Sequence, residues 1–134
     1  MKALIDTCII SPFLSKHGPS DALVDWLVDL EFAAISIVTL FEIEMGLKCA
    51  GLVKTAKLFP SLLENYEIQV MEISREYAQV AAEQGSKMKK KGFSYSLQDL
   101  WIGATAAAEK LDLATANLKD FEHWGIKIFN PLRS

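Results

Sequence analysis

Three acids stand where a carboxylate can do chemistry. Asp6 follows directly on the apolar run Ala3-Leu4-Ile5 and is followed by Thr7, so a short hydrophobic strand delivers its carboxylate to the rim of a sheet. Glu42 stands three residues after Thr39, and Asp99 three residues after Ser96. If the three meet at one edge, they repel one another and raise each other's pKa unless a cation is present. A hard divalent ion removes that penalty. Mg²⁺ or Mn²⁺ takes an octahedral set of oxygens, a few carboxylates completed by waters and a substrate phosphate. Such a site lowers the pKa of a bound water and neutralises charge on a phosphodiester during in-line attack, which makes metal-assisted phosphodiester hydrolysis the chemistry to test. Each acid also has a purely structural use. Asp is a favoured N-cap, here for a short helix beginning near Cys8, and the Thr39/Glu42 and Ser96/Asp99 spacings are those of capping boxes.

What decides between these uses is whether the chain brings the acids together. Short apolar, β-rich runs alternate with longer helical patterns. The runs predict strands at Lys2 to Ile5, Ala33 to Val38, Ile68 to Glu72, Leu113 to Thr115 and Lys127 to Phe129. Ser20 is placed to cap a helix with Leu23, Val24, Leu27 and Leu30 as its apolar stripe and Asp21, Asp25 and Asp29 on its wet face. Further helices are predicted over Thr39 to Cys49, Val53 to Asn65, Ser74 to Lys90 and Leu97 to Leu111. Strands separated by helices imply a mostly parallel sheet covered on both faces, an α/β fold of three α/β/α layers. Ligands in that architecture sit beyond the carboxyl ends of the strands. With the first, second and fourth strands as neighbours, Asp6, the start of the Thr39 helix, the N-terminus of the Asp99 helix and the Thr115-Ala116-Asn117 turn share one edge.

At 134 residues and 51% hydrophobic content, the chain suits one compact domain over residues 1–134. A net charge of -3 means that nucleic-acid binding must use a local basic patch. The densest positive charge is Lys87, Lys89, Lys90 and Lys91, one loop before the Asp99 helix, with Arg75 upstream. This run is read in two ways, as a solvated helix end that suits the helix dipole or as an RNA contact. Phe93 and Tyr95 beside it suit either base stacking or core packing. Cys8 and Cys49 lie in apolar contexts without metal-ligand spacing, which predicts reduced thiols and neither zinc nor a disulfide. No apolar run reaches the roughly 20 residues of a membrane span, so a soluble cytoplasmic protein is expected. His17 and His123 are read as surface residues, and Trp26, Trp101 and Trp124 as serving the core or a subunit interface.

Taken in order, "LIDTCII", "SIVTLFEIEMGL", "SYSLQDLWIGATAAAEKLDLATANLKDFE" and "GIKIFNP" resemble the PIN-domain ribonucleases, and within them the VapC-type toxins of toxin–antitoxin pairs. The resemblance covers nearly the whole chain. It implies a Mg²⁺- or Mn²⁺-dependent endoribonuclease whose metal ligands match Asp6, Glu42 and Asp99, with Thr7 and Thr115 orienting the site. It also implies a homodimer, and an antitoxin whose peptide arm covers the acidic groove. One position departs from the pattern: many relatives carry a fourth acid two residues after the fourth-strand Thr, where this chain has Asn117. A neutral oxygen ligand there implies weaker retention of a second ion. Asp120 is close enough in sequence to contribute through water, and reads equally as a solvated acid before the buried Phe121.

Two rivals remain at this level. One is a catalytically weak PIN-fold module that binds RNA or protein. The other is a receiver-like phosphoacceptor using Asp6, which fits less well because a receiver places its phosphoacceptor on the third strand.

Overall fold

The computed structural model describes residues 1–133. Five short strands, β1 (Lys2–Ile5), β2 (Phe32–Ser36), β3 (Ile68–Met71), β4 (Asp112–Ala114) and β5 (Ile128–Phe129), form one sheet in the order β3-β2-β1-β4-β5. Every neighbouring pair is parallel. The central strand β1 pairs Ala3 with both Ala33 and Asp112.

The alternation of side chains along a strand sends successive residues to opposite faces. Leu4, Ala34 and Leu113 join one core with Tyr77, Ala81 and Met88 of α5 (Arg75–Lys90) and Leu100, Ile102 and Ala104 of α6 (Leu97–Glu109). Ile5, Ala33, Ile35 and Ala114 turn to the other. There they meet α1 (Thr7–Leu14), α2 (Asp21–Val28), α3 (Ile37–Cys49) and α4 (Val53–Asn65). The three layers and the parallel sheet match the expectation. Phe59 of α4 is fully buried against this second core, a placement whose truncation to alanine costs about 3–5 kcal/mol in general. After β4 a short helix α7 (Leu118–Phe121) and a 3-10 turn (Glu122–Trp124) lead to β5.

Several boundaries differ from those predicted, for identifiable reasons. The second strand stops at Ser36 and not at Val38. The buried Ser36 hydroxyl accepts from the Val38 N–H at 3.1 Å, so an N-cap overrides the strand preference of Ile37 and Val38. Helix α3 therefore begins two residues before Thr39, and the capping-box use of Glu42 falls away. Ser96 does cap α6, accepting from the Asp99 N–H at 3.1 Å. That helix ends at Glu109 because Lys110 takes a left-handed conformation (φ 55°) and the chain turns back, Leu111 N–H donating to Ala106 at 2.9 Å. Thr115 lies just past β4 instead of inside it, and Asp120 sits on the short helix α7.

Helices α5 and α6 pair closely. The Tyr77 hydroxyl donates to Glu109 at 2.6 Å, and burial together with that carboxylate pushes the phenol up to about 12. Gly103 on α6 is required by packing: a Cβ there would lie 2.2 Å from the indole of Trp124. All three tryptophans pack onto the interior, Trp26 edge-on to Phe129 and Trp101 beside the α5/α6 core. No helix among the described residues is long and apolar enough to cross a membrane.

Candidate metal centre

Strand order reverses between β1 and β4, and at such a switch point the loops leaving the carboxyl ends diverge and open a crevice. Asp6 and Thr115 are the first residues beyond those two ends. The Asp6 N–H still donates to Ala114 at 2.9 Å, and Thr115 N–H to Phe129 at 2.9 Å, so sheet hydrogen bonding fixes both backbones. Asp6 is the N-cap of α1, its Oδ1 accepting from the Thr7 N–H at 2.8 Å. Capping and chemistry are not alternatives here, because Oδ2 is aimed elsewhere: it accepts from the Thr115 hydroxyl at 2.8 Å. Thr115 is fully buried and its oxygen in turn accepts from the Asn117 N–H at 3.0 Å. Its rotation is thereby fixed.

Glu42 reaches the same rim from α3. The Thr7 hydroxyl donates to its Oε1 at 3.0 Å and stands 3.5 Å from the Thr39 hydroxyl; with one proton to give, Thr7 favours the shorter contact to the charged oxygen. Asp99 approaches from the first turn of α6. The acids feel one another. Burial pushes the Glu42 carboxyl up, the Thr7 hydrogen bond opposes it, and the charges of Asp6 and Asp99 add to the rise. Burial likewise raises Asp99, against the Ser96 hydroxyl and with help from Asp120 and Asp6.

The donor set is all oxygen, and its members repel one another. Both features fit a hard divalent cation in place of a softer metal that would call for imidazole or thiolate. Among the described residues no three acid, imidazole or thiol side chains already close to coordination distance around one point. The fit is thus one of donor chemistry and charge. Asn117 is exposed, its side chain making no capping bond at the start of α7. Asp120 is exposed on that helix, with its charge felt at Asp99.

Cys8 has a place the sequence reading did not give it. Its sulfur accepts from the Ala116 N–H at 3.3 Å and lies 3.7 Å from Asp6 Oδ2. Burial pushes the thiol up, so it remains a neutral weak donor. The available signal was its position two residues after Asp6, on the first turn of the helix that Asp6 caps. Both cysteines are free, as expected. A cleft of about 250 Å³ between α1 and α3 has Thr7 and Glu42 on its wall. The lysine run ends α5; Lys87 and Lys91 line a small cavity with Phe93 and His123, whereas Lys89 and Lys90 do not. Phe93 and Tyr95 are about two-fifths exposed, outside the core. His17 and His123 are at the surface.

Comparison with known proteins follows the same line. A model of the PIN domain matches residues 3–126. Over 139 residues the chain is 29% identical to VapC ribonuclease Y4jK of Sinorhizobium fredii, covering 96% of each protein. The crystal structure of FitAcB from Neisseria gonorrhoeae superposes with a TM-score of 0.80 at 25% identity, covering 98% of this chain and 99% of that one. A toxin–antitoxin complex from Klebsiella pneumoniae gives 0.73 at 26% identity, with 97% and 98% covered.

Proposed function

This chain belongs to the PIN domain family, and from that premise we propose that it is a Mg²⁺- or Mn²⁺-dependent endoribonuclease, the toxin half of a toxin–antitoxin pair. The observation that carries the reading is the group of mutually repelling carboxylates at the sheet's switch point, held by threonine hydroxyls. The similarity to a VapC ribonuclease and to chains of a toxin–antitoxin complex supports it. We further propose a homodimer, an antitoxin arm over the acidic groove, and action in the cytoplasm by residues 1–134 as one domain.

In this reading Asp6, Glu42 and Asp99 hold the ion, with Asn117 and Asp120 as outer oxygen donors. When bound, such an ion lowers the pKa of a water and offsets charge on the phosphodiester. The chain's own contribution is orientation. Thr115 and the Thr7 N–H each take up one oxygen of Asp6, and the Thr7 hydroxyl holds one oxygen of Glu42. Outer partners of this kind typically account for 10- to 100-fold in metal affinity or activity. The carboxylates then position the attacking water, while the lysines at the end of α5 attract the RNA backbone.

Asp6→Asn and Asp99→Asn are nearly isosteric and remove the charge of a proposed ligand, and at Asp6 the change also replaces one of two accepting oxygens by an amide donor. Both proteins are expected to keep the wild-type circular dichroism spectrum, Asp6→Asn with a lowered melting temperature, while losing at least about a hundredfold of metal-dependent RNA cleavage, more than an outer partner supplies. Full activity in either folded variant removes that residue from the site. The exposed Asn117 favours a second reading, a PIN-fold module that binds RNA or protein without cutting. Absence of cleavage by the wild-type protein across Mg²⁺ and Mn²⁺ titrations, with RNA binding retained, selects that module.

A further inference from the structure

The loop between α5 and α6 is built to a definite shape. Gly92 takes φ 78°, its N–H donates to Lys89 at 3.0 Å, and the Phe93 N–H donates to Met88 at 3.0 Å. These are the two bonds of a Schellman ending. The turn folds Phe93 back over the end of α5, where its ring stacks on His123 with centroids 4.1 Å apart and planes 23° off parallel. Gln84 of α5 donates to the His123 carbonyl at 2.7 Å and holds the 3-10 turn in place. Lys87 and Lys91, one helical turn apart, complete a cavity of about 230 Å³.

We propose that this cavity is a nucleotide subsite for the RNA strand, taking a backbone phosphate between Lys87 and Lys91 and the adjoining base against the Phe93–His123 pair. The proposal rests on the ribonuclease reading above and assigns that activity a place where substrate is gripped. Its position follows from connectivity: the segment that supplies Phe93 continues into Ser96 and Asp99, and the segment that supplies His123 follows Asn117 and Asp120. Both walls of the cavity are therefore continuous in sequence with segments that carry residues of the proposed centre.

A substrate phosphate needs such a cation cluster, because the acids repel the polyanion and the chain as a whole is acidic. Glu83 lies 3.4 Å from Lys87, and Glu122 3.7 Å from His123. Both contacts are exposed, and pairs of that kind contribute little in water, so a phosphate competes with them. The aromatic pair distinguishes RNA from an acidic peptide. Lysines serve either partner, but a flat, half-exposed pair of rings beside them suits a splayed base.

The test compares Lys87→Gln/Lys91→Gln with Lys89→Gln/Lys90→Gln, which removes equal charge from the same helix end outside the cavity, and with Lys54→Gln/Lys57→Gln on α4. Binding of a short fluorescent single-stranded RNA is followed against salt with chelator present, and cleavage kinetics are measured with Mg²⁺. The cavity pair is expected to lose about tenfold in affinity and about 0.7 in salt slope, the value for the one phosphate held between the two lysines. KM should rise while kcat holds, and the Lys89/Lys90 pair should lose less than half as much. Phe93→Leu should weaken binding about fivefold with the slope unchanged, as expected from a lost base stack. Equal losses from both α5 pairs, or losses matched on α4, overturn the subsite and leave the nuclease standing. So does unchanged RNA binding in the cavity pair alongside lost binding of a poly-glutamate probe. A wild-type protein that neither binds nor cuts RNA removes the ribonuclease reading and the subsite together.

Discussion

The acidic rim has two unlike halves. At Asp6 both carboxylate oxygens are occupied, by Thr7 N–H and by the Thr115 hydroxyl, and the residue is only 6% exposed. Across the rim, Asp99 is fixed through its backbone N–H to Ser96, Asn117 makes no capping bond with its side chain, and Asp120 is exposed. The first half is preorganised and has its geometry fixed on folding. The second has fewer side-chain hydrogen bonds to fix it. Preorganised polar groups cost no reorganisation at the moment of reaction, whereas a fully clamped site leaves no freedom to accept a bulky polymer. In the proposed nuclease the division places rigidity under the buried carboxylate and adaptability on the exposed side of the rim.

Among changes that leave the three proposed ligands in place, removing the clamp on the rigid half should have the largest effect. Thr115→Val keeps volume and burial but removes the donor to Asp6 and the acceptor for the Asn117 N–H. A loss of about 10- to 100-fold in metal affinity or rate is expected, measured by metal titration of cleavage, with Thr115→Ser restoring most of it. If Thr115→Val titrates like wild type, the hydroxyl clamp does not prepare the site.

A pH series compares the halves directly. Glu42 and Asp99 carry carboxyls raised mainly by burial, so the metal-free folded protein binds protons more readily than the unfolded chain. Its stability should therefore increase as pH falls through the raised folded values towards the ordinary carboxylate range, and decrease as pH rises through that window. If Glu42 and Asp99 hold the proposed ion, metal affinity should move oppositely, declining on acidification as they protonate. Melting temperature in chelator and metal titration over the same pH range should show opposite slopes. Parallel slopes would mean that these carboxyls do not face the ion.

The smallest effect is expected on the adaptable half. Asn117→Asp adds a carboxylate and should tighten divalent-ion binding a fewfold, most for whichever ion is held less firmly. Asp120→Asn tests the alternative supplier of that charge. A silent Asn117→Asp beside a damaged Asp120→Asn assigns the role to Asp120.

Much of this was legible in the chain because it depends on local pattern. The apolar runs at Lys2–Ile5 and Ile68–Met71 mark strands, and the Val53–Asn65 helix was bounded correctly at both ends. Asp6 and Asp99 stand at element ends as expected, whereas Glu42 lies in the second turn of α3 and not in its first. Harder to read was competition between local signals, as at Ser36, where one hydroxyl cap outweighs two β-branched residues. Which elements share an edge followed from the alternation of strands and helices, but individual long-range contacts could not be read. The link from Cys8 to Ala116 spans 108 positions, and no spacing near Cys8 announces it. His123 is at the surface as expected, yet its stacking on Phe93 depends on where a distant helix ends.

The bond between Asp6 and Thr115 joins residues 109 apart. Synthesis proceeds from the amino terminus, and contacts of such separation close late in folding. A ribosome therefore releases the first acid of the centre long before the hydroxyl that aims it exists. While β4 is still in the exit tunnel, β1 has only β2 beside it and Asp6 has no Thr115 to hold. In the proposed toxin, the assembled centre is thus among the last features of translation to appear, and a chain broken off before residue 115 lacks the hydroxyl that holds the second oxygen of Asp6.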